Sequence, residues 1–97
     1  MANQLLNSQQ IFSKNLAQLI LFIYESGFEV SIGEVERTKY QQKEYVRTGR
    51  SKTMNSNHLK RLAADIFIFK NDALINDKNK LYEIGKYWES LHKNNRY

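Results

Sequence analysis

The chain has 97 residues, 41% of them hydrophobic and 26% charged, which fits a single small globular domain spanning 1–97 and leaves no room for a second. It contains no cysteine, which excludes a disulfide framework and any cysteine-based zinc site, so a bound metal would have to use histidine and carboxylates. The formal charge is +5, from 15 Lys and Arg against 10 Asp and Glu; this favours a polyanionic partner such as nucleic acid, an anionic membrane face or an acidic wall polymer, without choosing among them.

Residues 1–7 read as a polar lead-in with no basic start, so no secretory signal is expected and the chain would be made in the cytoplasm. The longest apolar stretch, Leu19 to Tyr24, is far too short to span a bilayer. Proline is absent and glycine occurs four times, so glycines supply most of the punctuation. Ser8 is placed to cap a first helix whose apolar residues recur at Ile11, Phe12, Leu16, Leu19, Ile20, Ile23 and Tyr24, and Gly27 to end it. Phe28 to Ile32 alternates apolar and polar residues, the pattern of a half-buried strand. After an irregular stretch from Gly33 to Arg37, Thr38 caps a second helix, with Gln41 at the capping-box position and Tyr40, Tyr45 and Val46 as its inward side. A polar loop over residues 50–57 follows. Ala63 to Lys70 predicts a central strand, apolar on both faces; Asn71-Asp72 a turn; Ala73 to Ile75 a short return strand. Asp77 caps a third helix with Leu81, Ile84, Trp88 and Leu91 on one face, and a polar tail closes the chain. The predicted fold class is α+β: a small antiparallel sheet packed against about three helices.

Chemistry concentrates between Ser56 and Asp65. Asp65 heads the apolar run Ile66-Phe67-Ile68-Phe69, where a carboxylate is costly unless a cation or several donors meet it. His58 is one of only two histidines. Imidazole and carboxylate are both zinc ligands, but seven residues of extended chain would separate them by about 23–25 Å. To share an ion the chain must reverse between them, through Leu59 to Leu62. The plainer reading of the pair is a surface histidine beside a salt-bridged aspartate. Arg37 likewise has a plain reading, a surface pairing with Glu34 or Glu36.

Ser56-x-His58 followed by Ala63-x-Asp65 resembles the S-x-H-x-x-G-x-A-x-D motif of the zinc D-alanyl-D-alanine carboxypeptidases and phage L-alanyl-D-glutamate endopeptidases (endolysins). Arg61 stands at the glycine position of that motif. The segment Glu34-Val35-Glu36-Arg37-Thr38 is similar to the family's E-x-x-R-T segment, and the stretch from Tyr87 to His92 with Asn95-Arg96-Tyr97 resembles the helix and loop that lead towards its last catalytic motif. The resemblance implies a zinc cofactor held by His58, Asp65 and a later histidine. It implies that Arg37 anchors substrate or stabilises developing negative charge, and that Ser56 lies behind the ligands or on the substrate side. The implied activity is hydrolysis of bacterial cell-wall (peptidoglycan) peptides by a metal-activated water, in phage or prophage lysis, with release from the cytoplasm needed to reach the wall.

The family's third ligand and general base come from a D-x-x-H or E-x-x-H segment after the final helix, and no such segment follows that helix before Tyr97. A chain cut before its last catalytic segment is the simpler expectation, and such a chain would hydrolyse poorly. Glu89-Ser90-Leu91-His92 has the E-x-x-H spacing but lies before the position of that motif, which leaves His92 as the remaining histidine candidate for the third metal ligand. Two other classes stand beside the peptidase. One is a basic nucleic-acid-binding module using Lys60-Arg61 with Arg47, Arg50 and Lys52; the other is a catalytically dead wall-binding protein of the same fold.

Overall fold

The computed structural model describes residues 4–96. The first helix, α1, runs Gln4–Glu25, five residues earlier than a Ser8 cap would place it. Gln4, Leu5 and Leu6 are good helix formers with no breaker among them, so the helix continues upstream through Ser8. Its other end is as expected. Gly27 takes a φ of +89°, its N–H donates to Tyr24 O at 3.1 Å, and the Phe28 N–H donates to Ile23 O at 3.1 Å. That pair of bonds closes a helix through a left-handed residue, and glycine adopts this conformation without steric cost.

Three strands follow in an antiparallel sheet of order β1-β2-β3: β1 Glu29–Ile32, β2 Ile66–Lys70 and β3 Ala73–Leu74. The register pairs Val30 with Ile68 and Ile32 with Ile66. Asn71 and Asp72 both have positive φ, 51° and 66°, as a two-residue hairpin turn requires. β2 is central as predicted, but it starts three residues after Ala63, and only one of its faces is covered. Ile68 is buried while Phe67, pointing the other way, is 48% exposed.

Helix α3, Lys78–Leu91, begins at Asp77, whose carboxylate accepts from the Asn79 N–H at 2.9 Å. It lies against α1 and the sheet, so Leu19, Ile23, Ile68, Ile84 and Trp88 make the core. Phe12 meets Trp88 edge-on with ring centroids 5.5 Å apart, a favoured aromatic geometry. The polar tail folds back on α3: Trp88 Nε1 donates to Arg96 O at 3.0 Å and Asn95 Nδ2 to Trp88 O at 2.8 Å. Among the described residues no helix is long and apolar enough to cross a membrane.

Helix α2, Lys39–Arg47, starts from Thr38 with the full capping box to Gln41. Its inward side is only partly the one expected, since Tyr45 is half-buried as expected. Tyr40 is 74% exposed and Val46 is also exposed, whereas Gln42 is fully buried. α2 packs on polar chain segments and not on the core, and this decides which side chain it turns inward.

Candidate metal centre

Backbone pairing continues past the end of the β1–β2 ladder. The Gly33 N–H donates to Asp65 O at 2.7 Å, and the Asp65 N–H donates to Glu34 O at 2.8 Å. Two residues, Gly33 and Glu34, thus oppose the single residue Asp65, which is a β-bulge, a device that re-aims side chains. Space at Gly33 is tight: a Cβ there would lie 2.8 Å from the half-exposed Phe67 ring, which would have to shift, and 3.3 Å from Asp65 O. Asp65 therefore sits before β2 and not inside it, with a side chain 53% exposed. The cost expected for a carboxylate in an apolar strand does not arise.

The reversal between His58 and Asp65 is a 3₁₀ turn, Asn57–Lys60. Ser56 caps it, its Oγ accepting from the His58 N–H at 3.2 Å. Arg61 ends it in the left-handed region with φ 57° and ψ 39°, and the Leu62 N–H donates to Asn57 O at 2.9 Å. A non-glycine residue there costs about 1–2 kcal/mol. The glycine of the resembled motif falls at this position, so the turn keeps its shape with Arg61 at some expense in strain.

This turn brings His58 Nε2 to 3.6 Å from Asp65 Oδ1. The other ring nitrogen, Nδ1, is 3.1 Å from Val35 O. With its proton on Nδ1 and donated to that carbonyl, the ring presents the Nε2 lone pair toward Asp65, the arrangement by which a backbone carbonyl orients a metal-ligating histidine. Two donors about 2.0–2.2 Å from one tetrahedral zinc ion stand about 3.3–3.5 Å apart. The observed separation and donor types fit two corners of such a site.

Behind the pair lies a polar network built on Arg37, whose side chain is 11% exposed. Its backbone N–H donates to His58 O at 3.0 Å. Nε donates to Glu34 Oε1 at 2.6 Å, and Nη2 is ion-paired with the same oxygen. Nη1 donates to Gln42 Oε1 at 2.6 Å and to Ser56 Oγ at 3.3 Å. The guanidinium also lies over the Tyr45 ring, 4.6 Å from its centroid, and the Tyr45 hydroxyl donates to Glu34 Oε2 at 3.3 Å. Gln42 Nε2 donates to Ser51 Oγ at 2.8 Å and to Thr53 O. Every polar atom of the buried Gln42 side chain is thereby used, and α2, the 51–56 loop and the histidine turn are joined through one arginine.

The residues singled out from the sequence divide accordingly. His58 and Asp65 face each other; Ser56 and Arg37 support the turn that carries His58. His92 caps the end of α3, where its Nδ1 accepts from the Asn94 N–H at 3.1 Å. The group of side chains able to share an ion, with ligand atoms all within 4.8 Å of one another, is Glu34, His58 and Asp65 among the described residues, and His92 is not a member of it. Glu34 was not expected as a candidate ligand. Its one signal in the sequence is the three-residue spacing to Arg37, which a surface ion pair explains equally well. An apolar cleft of about 390 Å³ lies elsewhere, between α1, α3 and β2, and its lining of Phe12, Leu19, Ile66, Trp88 and their neighbours includes none of these polar side chains.

No family model matches the chain, and no curated protein matches it. Among solved structures it is similar to an L-Ala D-Glu endopeptidase, ChiX, from Serratia marcescens, at 22% sequence identity with a TM-score of 0.63, over 82% of this chain and 61% of that one. The likeness is one of fold, and the chain spans 61% of its neighbour's length.

Proposed function

We propose that this chain is the zinc-holding part of a peptidase that hydrolyses bacterial cell-wall peptides. The observation that carries the reading is the His58–Asp65 pair: Nε2 and Oδ1 are 3.6 Å apart, with Nδ1 at the Val35 carbonyl. The likeness in fold to an endopeptidase acting on an L-Ala–D-Glu bond, a linkage of wall peptides, supports the choice of substrate class.

His58 and Asp65 are the proposed ligands. Zinc held there would supply a bound water of lowered pKa and polarise the scissile carbonyl. Ser56 and Arg37 fix the turn that aims His58. A guanidinium has five N–H donors; Glu34, Gln42 and Ser56 take four, and the one left on Nη2 is the proposed contact to a substrate carbonyl or carboxylate. For a third donor we place Glu34 ahead of His92, because Glu34 lies in the group with His58 and Asp65, sharing its carboxylate with Arg37 and Tyr45, whereas His92 lies outside it. With His58 and Asp65 as its two proposed ligands and Glu34 shared with Arg37, this chain is proposed to bind zinc more weakly than a site with three free ligands and to hydrolyse slowly.

Zinc titration calorimetry tests the reading, with circular dichroism to check folding. One zinc per chain is expected, with affinity reduced at least about tenfold in His58→Ala and in Asp65→Ala. Absence of zinc binding, or binding that both variants leave unchanged, would overturn it.

A further inference from the structure

The net positive charge of this chain arises in one segment. Seven of its 15 Lys and Arg but only one of its 10 Asp and Glu, Glu44, fall in residues 39–61, so this segment carries +6 and the rest of the chain −1. All seven cations, from Lys39 to Arg61, are exposed. Among the described residues Arg47 alone of the seven has a carboxylate partner, Glu44 at 2.8 Å. Lys39, Lys43 and Arg47 recur every fourth residue along α2, about 6 Å of helix per step, and all three are exposed while Gln42 is buried. The same segment ends in the turn that carries His58.

A row of like charges in which only Arg47 is offset by a carboxylate, Glu44, suits a partner whose negative charges also repeat along a line. We propose that the α2 row is a docking surface for a linear phosphodiester polymer of the bacterial wall, a polyol phosphate chain with one negative charge per repeat. The proposal rests on the cell-wall reading above and adds to it a second, anionic component that the chain grips while the His58–Asp65 side meets peptide. Nucleic acid has the same backbone chemistry but is favoured less, because its single strands are held on aromatic stacking platforms. The two rings of α2 do not make one: Tyr40 stands alone at the surface and Tyr45 is packed under Arg37.

The test is co-sedimentation of the full chain with purified walls that carry the polyol phosphate polymer, and with the same walls stripped of it by acid. Wild type is compared with a Lys39→Glu/Lys43→Glu variant, and zinc affinity is measured on the same samples. At low salt wild type is expected to bind decorated walls at least about tenfold more tightly than stripped ones, and to lose that preference as salt rises. The double variant is expected to lose the preference while keeping its circular dichroism and zinc affinity. Equal binding to both walls, or an undiminished preference in the double variant, would overturn the proposal. So would duplex DNA that competes better than free polymer at equal phosphate concentration. A preserved preference in a chain that binds no zinc would support the surface and remove the peptidase reading.

Discussion

The two ends of this small molecule are held together by different forces. On the α1–α3 side, Leu19, Ile23, Ile68, Ile84 and Trp88 are buried against one another, and the stabilisation is non-directional and roughly proportional to apolar area. On the α2 side a single arginine collects Glu34, Gln42, Ser56 and the Tyr45 ring, and stabilisation depends on the orientation of each bond. Apolar packing tolerates substitutions of similar volume; a satisfied polar network loses far more when one member leaves, because its partners stay behind unpaired. The first arrangement supplies stability, the second fixes where His58 points.

If that division holds, substitutions should separate the two properties. Trp88→Ala should have the largest effect on stability, about 3–5 kcal/mol for a truncated core aromatic, read by urea denaturation, with zinc affinity of the remaining folded protein little changed. Arg37→Met comes next. It strands Glu34 and Gln42, at about 2–4 kcal/mol when the part exposure of the ion pair is allowed for, and here zinc affinity should fall together with stability. If it does not, the network does not position the histidine. Gln42→Met removes both the acceptor for Arg37 and the donor to the 51–56 loop, for about 1–3 kcal/mol, and should weaken zinc binding more than its stability cost suggests. The smallest effect runs the other way: Arg61→Gly relieves the left-handed strain and should leave stability unchanged or raise it by up to about 1 kcal/mol, visible as a rise in Tm of a few degrees at most.

What could be read from the sequence follows the same division. The caps at Thr38 and Asp77 and the stop at Gly27 were legible because each is a contact within a few residues. The α+β class and the face of α3 followed from periodicity. The meeting of His58 with Asp65 was legible only through the resemblance of the Ser56–Asp65 stretch to a family motif, since spacing alone demanded a reversal without giving its form. Glu34 was legible as the partner of Arg37, three residues on, but not as a neighbour of His58 and Asp65. Gln42 was missed because its partners Ser51 and Thr53 lie beyond its helix, where no local pattern marks a polar residue that will be buried. The start of β2 was placed too early because Ala63 and Ala64 extend the apolar run without joining the ladder.

The two-against-one pairing of Gly33 and Glu34 with Asp65 bears on how the chain tolerates changes in length. Side chains alternate sides along a strand, so removing one residue there would restore plain pairing and turn every following side chain to the opposite face until the next loop absorbs the slip. Arg37, four residues on from Gly33, would leave its partners even though no residue of the network had been altered. A single-residue deletion at 33–34 is therefore a graver lesion than any substitution at either position, whereas the 50–57 loop should accept an insertion at its exposed Met54-Asn55 tip with little consequence.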